Sequence, residues 1–310
     1  MQACRRMAAG MLWTKLHPAA HLASRPRIAQ ILREGRCRAA DRPSRHPRTD
    51  MPVPAPSRRA FLHGCAAGLS LALIRPALAQ DAETPPPLGF RELTDGIWLH
   101  TSWRKGDQGW IPSNGLALIG PEEALLIDGA WTPAQTVALL ERVAQAAPNR
   151  PVNLVVTHAH DDRLAGLAAV HARGGWSLGR DETVKEAAGT ATIQRSWSGE
   201  STTVTGGGRA VELFYPGPAD TRDNTVAFLP DSALLFGGCM VRGAEQANLV
   251  STPDSDICRW PQSVEAVIAR YGKAAKTVVP DQGEPGDAGL LTHTHQLAKA
   301  EAAKSCSPAG

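Results

Sequence analysis

Apolar and polar positions alternate in short runs through the first part of the chain. GIWLHTSW (96–103), GLALIG (115–120) and EALLIDGA (123–130) each read as a strand, bounded by turn-forming residues, and together predict a meander with an apolar inner face. The period then changes. In TPAQTVALLERVAQAA (132–147) Thr132 is placed to cap a helix and Pro133 to open it. Behind them apolar positions recur at helical spacing, as Val137, Leu140 and Val143 or as Leu139, Val143 and Ala147. A buried strand follows in PVNLVVTHAH (151–160), then a helix from Arg163 to Arg173 closing at Gly174 and Gly175, then a short strand and another helix.

The order repeats. ELFYPG (212–217), NTVAFLP (224–230) and ALLFGGCMV (233–241) read as strands, SVEAVIARYG (263–272) as a helix, KTVVP (276–280) as a strand, and Ala288 to Lys304 as a C-terminal helix. Two series of strands followed by helices, with no linker between them, predict an α/β fold, a four-layer αβ/βα sandwich in a single domain over residues 80–310.

Charge changes the picture of the N-terminus. The net charge of +3 conceals 13 Lys and Arg against three acids in residues 1–60, so the body of the chain is acidic and offers no surface for nucleic acid. Within residues 51–79, paired arginines (Arg58, Arg59) precede an apolar run from Ala66 to Ile74 and an Ala77-Leu78-Ala79 cleavage site, the pattern of a twin-arginine export signal. That run is too short for a permanent span, and Arg75-Pro76 would break a buried helix. A mature chain starting near Gln80, periplasmic and without a stable membrane anchor, is expected. Residues 1–50, rich in Arg, Ala and Pro, read as a disordered or untranslated leader, with Met51 an alternative start.

Cys239, Cys258 and Cys306 remain after the signal, so at least one is a free thiol, an intermolecular bridge or a metal ligand. Cys239 is the candidate, because FGGCMV ends an apolar strand where two glycines allow close approach; an inert buried thiol is the other reading. The strongest chemistry lies in THAHDDR (157–163), at a strand exit. Two histidines at i and i+2 can converge on one cation, and a carboxylate two residues later can reach a second. The segment RKGDQGWIPSN (104–114) reads as a flexible loop with Trp110 near its tip, either closing over a ligand or packing on the sheet.

These residues carry a resemblance. GIWLHTSW, SNGL (113–116), LLIDGAW (125–131), VVTHAHDDRLAG (155–166), FYPGP-DT-DN (214–224), FGGC (236–239), Asn248-Leu249 and LTHT (291–294) resemble, in order and spacing, a metallo-β-lactamase of the first, cysteine-containing, two-zinc subclass, from about Phe90 to the C-terminus. The resemblance implies a monomeric zinc hydrolase that opens the amide of β-lactam antibiotics by attack of metal-bound hydroxide. It implies His158 and His160 as ligands of one zinc, and Asp162 and Cys239 as ligands of another. Asp161 and Arg163 accompany them, and Asp128 steadies the metal loop from behind. Arg242 stands where the family places a lysine for the substrate carboxylate, and Asn248 where an asparagine polarises the lactam carbonyl. The expected substrate-binding set is thus Arg242, Asn248 and Trp110, and the catalytic pair Asp162 and Asn248.

The chain departs from the family twice. Asp220 stands where the third histidine of the first zinc belongs, and Gln282 where the histidine of the second belongs. Aspartate is a competent zinc ligand, so Asp220 is expected to complete a His-His-Asp set, whereas the neutral amide of Gln282 would hold zinc weakly beside Asp162 and Cys239. A relative with weak or lost lactamase activity, or a hydrolase of another ester, lactone or amide, is the alternative. His100, His171, His293 and His295 are expected to be structural or solvated.

Overall fold

The computed structural model describes residues 84–306; the expected leader and export signal lie outside them. A seven-stranded sheet runs in sequence order, from β1 (Gly89–Thr94), β2 (Ile97–Gly106), β3 (Gly109–Ile119) and β4 (Ala124–Ile127) to β5 (Val152–Val155), β6 (Ser177–Arg180) and β7 (Arg195–Trp197). Its first four strands pair antiparallel, and pairing is parallel from β4 onward. The second sheet has the order β12-β11-β10-β9-β8, formed by β8 (Ser201–Gly206), β9 (Arg209–Phe214), β10 (Val226–Leu229), β11 (Leu234–Gly238) and β12 (Thr277–Pro280).

The layers follow from which faces are apolar. Ile97, Leu99, Leu116, Leu118, Leu125 and Ile127 of the first sheet meet Val211, Leu213, Leu234, Phe236 and Val279 of the second, giving a dry interior between sheets. On the outer face of the first sheet, Ala117, Leu126 and Leu154 pack against Leu139, Leu140 and Val143 of α1 (Pro133–Ala146) and Leu167 and Val170 of α3 (Leu167–Ala172). On the far side of the second, Phe228 and Leu235 pack against Trp260, Val264 and Val267 of α5 (Trp260–Tyr271) and Leu291 and Ala298 of α6 (Gly289–Ser305). Helix, sheet, sheet, helix is the αβ/βα sandwich that the alternating runs predict.

Local signals explain most boundaries. Thr132 Oγ1 accepts from Gln135 N at 3.2 Å and Pro133 opens α1, as the sequence predicts. Of its two candidate apolar faces the one through Leu139 and Val143 is buried, while Val137 is exposed.

Two expectations are corrected. The single helix from Arg163 to Arg173 is instead α2 (Asp161–Leu164) and α3, broken at Gly166, where φ is +89° and an added Cβ would lie 2.4 Å from Thr136 Cβ. The expected loop 104–114 is a continuous hairpin, because β2 and β3 stay in register out to Gly106 and Gly109. Trp110 pairs across it with Lys105 and is half-buried, with its indole nitrogen shielded from solvent, so it is no exposed flap tip. A remaining short helix, α4 (Asp181–Glu186), packs near β6 and β7.

Candidate metal centre

The ends of β5, β11 and β12 and the middle of β3 meet at one edge of the sandwich, and their side chains form a buried polar cluster. Thr157 to Arg163 leaves β5 and turns at once into α2, so His158 points into the protein while His160, the residue before α2, stays partly exposed. Thr225 N donates to Thr157 O at 2.9 Å, tying this turn to the start of β10.

The tautomer of His158 follows from its neighbours. Asp128 Oδ1 accepts from Thr157 N at 2.8 Å, and Asp128 Oδ2 accepts from Thr157 Oγ1 at 2.8 Å. With its own hydrogen committed, Thr157 Oγ1 can only accept from His158 Nδ1, 3.2 Å away. The Nε2 lone pair of His158 is therefore free, and that atom is fully buried with no partner among the described residues. Burial holds the imidazole well below its ordinary pKa, with Arg163 adding to the effect, so it stays neutral. Asp128 itself has φ +67°, an unusual conformation for a residue with a side chain, and burial pushes its carboxyl up to about 7 against the pull of Arg163.

His160 is oriented the opposite way. Its Nε2 donates to Asp254 Oδ2 at 2.8 Å, leaving the Nδ1 lone pair facing Asp220 Oδ2 at 4.0 Å. A zinc ion bound to both would draw these two atoms together to about 3.3 Å, as bonds of about 2.0–2.1 Å at tetrahedral angles require. One donor atom each from His158, His160 and Asp220 lies within 4.8 Å of the others, and the same holds for His158, Asp162 and Cys239. Imidazoles, carboxylates and a thiol are the donor set of zinc, and His158, whose Nε2 is uncommitted, belongs to both groups, so the residues present fit that metal.

Two arginines run through the cluster. Arg163 is fully buried and its guanidinium reaches Asp128 at 3.3 Å, Asp162 at 3.1 Å and Asp281 at 2.5 Å, while its Nη2 also donates to Cys239 Sγ at 2.9 Å. Ser113 Oγ lies 3.0 Å from both Asp162 Oδ2 and Asp281 Oδ1. Burial raises the Cys239 thiol well above its ordinary value, although Arg163 opposes this. Arg242 is buried and donates to Asp220 Oδ1 at 3.0 Å and to Val250 O, and it stacks on the Trp260 ring at 5.0 Å. Asp220 is nonetheless raised to about 6, chiefly by burial.

Several expected site residues lie elsewhere. Gln282 is half-buried, and its Oε1 accepts from Gln246 Nε2 at 3.3 Å. The neighbouring Asp281 is buried in the bend after β12, with its Oδ1 bonded to Arg163 Nη2 and Ser113 Oγ. Arg242 is buried and turned toward Asp220, its Nη2 bonded to Asp220 and Val250 O while its Nε has no partner among the described residues. Asn248 is exposed and makes no side-chain hydrogen bond among the described residues.

Sequence reading missed Ser113, Asp254 and Asp281. SNGL did mark the serine's segment, but a pairing such as Asp254 with His160, 94 residues apart, left no local signal. His171, His293 and His295 bond to Ser177, Gln246 and Glu265, and His100 to the Asp128 carbonyl. Cys258 and Cys306 form a disulfide, leaving Cys239 as the free cysteine among the described residues.

A two-sheet αβ/βα frame that gathers histidines, aspartates and a thiol at its strand ends defines a zinc hydrolase of the metallo-beta-lactamase type. The sequence profile of the metallo-beta-lactamase superfamily matches residues 109–283, and the chain belongs to that superfamily. A type 2 metallo-beta-lactamase of Bacillus sp. (strain 170) is 35% identical over 215 residues, 68% of this chain and 82% of the relative. Among solved structures, the metallo-beta-lactamase from Pontibacter korlensis matches with TM-score 0.65 and 36% identity over 69% of this chain and 99% of its own. The metallo-beta-lactamase FIM-1 from Pseudomonas aeruginosa in its mono-zinc form matches with TM-score 0.65 and 32% identity, over 71% and 99% respectively.

Proposed function

We propose that this protein is an exported zinc-dependent hydrolase that opens the amide bond of β-lactams, with His158, His160 and Asp220 holding the first metal. The buried, uncommitted Nε2 of His158, set by the Thr157–Asp128 relay, carries the reading. Zinc bound there supplies a Lewis acid and lowers the pKa of a bound water to about 7.

The chain's own residues divide the remaining tasks. Thr157 and Asp254 hold the protons of His158 Nδ1 and His160 Nε2, so both rings present lone pairs. Every hydrogen bond to Asp162 among the described residues falls on Oδ2, so Oδ1 is free to hold a proton and return it to the departing nitrogen. Asn248, exposed in the loop after Arg242, is free to donate to the substrate carbonyl. The Cys258–Cys306 disulfide supports the export read from Arg58 and Arg59, because such bonds persist in oxidising compartments. Cell fractionation checks this: the chain is expected in the periplasm, and Arg58→Lys with Arg59→Lys leaves it in the cytoplasm.

A second reading has its own observation. Arg242 Nη2 is already engaged by Asp220 and Val250 O, which weakens its hold on a substrate carboxylate and favours reduced lactamase activity or an ester or lactone substrate. Measuring zinc stoichiometry and penicillin and carbapenem hydrolysis for the purified chain, Asp220→His, Gln282→His and the double variant separates the two. Hydrolysis by the native chain, abolished in His160→Ala, supports the lactamase; hydrolysis by the double variant alone sinks it.

A further inference from the structure

We propose that Ser255 is a positioning residue for the first metal group, and that the turn 252–255 to which it belongs holds two of that group's ligands, Asp220 and His160, toward one ion. The proposal rests on the reading of His158, His160 and Asp220 as a metal group and goes beyond it in naming what fixes their spacing.

Asp220 lies between β9 and β10, outside both strands, so no sheet ladder fixes its backbone. What holds it comes from the segment between β11 and α5. Ser255 Oγ donates to Asp220 O at 2.9 Å, and Thr252 Oγ1 stands 3.3 Å from the same oxygen. One residue earlier, Ala219 O accepts from Asp256 N at 2.8 Å. Asp220 is buried, and among the described residues its carbonyl has no other donor, so losing Ser255 leaves a buried acceptor poorly satisfied.

The allocation of hydrogens singles out Ser255 within the turn. Its one hydroxyl hydrogen goes to Asp220 O, while its lone pairs face Thr252 N at 2.9 Å and Thr252 Oγ1 at 3.2 Å. Thr252 Oγ1 also carries one hydrogen, which can go to Ser255 Oγ or to Asp220 O but not to both. Ser255 N donates to Thr252 O at 3.1 Å and closes the turn. Ser255 therefore shapes the turn and joins it to Asp220.

The same turn reaches the second ligand through Asp254, whose Oδ2 accepts from His160 Nε2 at 2.8 Å. Just ahead of the turn, Val250 O and Asp220 Oδ1 share Arg242 Nη2, which leaves Asp220 Oδ2 as the oxygen facing His160 Nδ1 at 4.0 Å. A short aspartate side chain keeps its carboxylate near the backbone, so a shift of the Asp220 carbonyl carries over to that oxygen. Groups that orient ligands in this way change metal affinity by about ten- to a hundredfold when removed.

Zinc affinity of the metal-depleted full chain is read by competition with a chromophoric chelator. Ser255→Ala is expected to bind zinc about tenfold more weakly, and Ser255→Thr, which keeps the hydroxyl, to bind it as the native chain does. Cobalt(II) gives the readout that a merely structural role would not move. Its visible absorption reports ligand geometry at the ion, and that spectrum is expected to change in Ser255→Ala and to return in Ser255→Thr. A lower melting temperature of metal-free Ser255→Ala, with native zinc affinity and a native cobalt spectrum, overturns the proposal, as do equal losses in the two variants. No uptake of zinc by the native chain overturns the metal reading itself.

A cycle with Asp254→Ala tests whether one turn carries both contacts. Loss of Ser255 also loosens Asp254, so the double variant is expected to retain more affinity than the product of the two single losses allows. Fully multiplicative losses overturn the shared turn.

Discussion

Thr157 has one hydroxyl hydrogen, and where that hydrogen goes decides which nitrogen of His158 is free. Replacing it with valine removes the acceptor for Nδ1 and one bond to Asp128 while keeping the shape. Zinc affinity of Thr157→Val is expected to fall by about tenfold or more, read by competition with a chromophoric chelator. Native affinity in the variant would mean that the relay does not set the tautomer. His100 makes a different kind of statement. Burial lowers its pKa from 6.5 to about 3, so the folded chain keeps it neutral over a range where the unfolded chain takes up a proton. Its contribution is fully present above pH 6.5, and stability is lost as pH falls from 6.5 toward 3, by about 1.4 kcal/mol per pH unit. Urea unfolding at pH 7.5 and 5.5 is expected to show the native chain losing stability faster than His100→Gln; parallel losses would refute this.

At the scale of elements, what could be read from sequence depended on whether the cause was local. The α1 cap at Thr132 and the strand runs before it were legible because capping and alternation act within a few residues. The break between α2 and α3 was not legible, since it depends on Gly166 fitting against Thr136, a residue of another helix. How far β2 and β3 pair toward the hairpin tip was less legible for a similar reason: polar residues in RKGDQG weaken the strand pattern, and cross-strand pairing overrides it. The C-terminal helix α6 is tied by Cys306 to Cys258, just ahead of α5 and 48 positions earlier in the chain. Cys258→Ser is expected to lower stability by about 2–4 kcal/mol, measured by thermal or urea unfolding with and without reductant. Reductant should lower the native chain to the variant's level and leave the variant unmoved.

For the whole molecule, the two sheets supply a rigid frame on which the polar edge cluster can be held under strain. The apolar interior between them stabilises a chain that also buries four carboxylates around two guanidiniums. The zinc binding proposed for this cluster would couple to folding. Chelation is expected to lower the melting temperature, and added zinc to raise it further with each increment of free metal, as mass action requires. A melting temperature indifferent to chelator and to zinc would show that the guanidiniums alone balance the cluster.

The sequence by itself determined the αβ/βα order of elements and the pairing of histidines, aspartate and cysteine with metal chemistry. Period-2 and period-3.6 patterns and a strand-exit HxHxD are properties of near neighbours in the chain. It marked Asp220 and Gln282 as departures from the family but could not say what each side chain faces. Only the tertiary structure decided that Arg242 turns onto Asp220, that Asp254 holds His160, and that Asp281 is buried against Arg163 while Gln282 bonds to Gln246. Those outcomes are competitions between charges brought together from distant parts of the chain, settled by burial and by the number of hydrogens available to share.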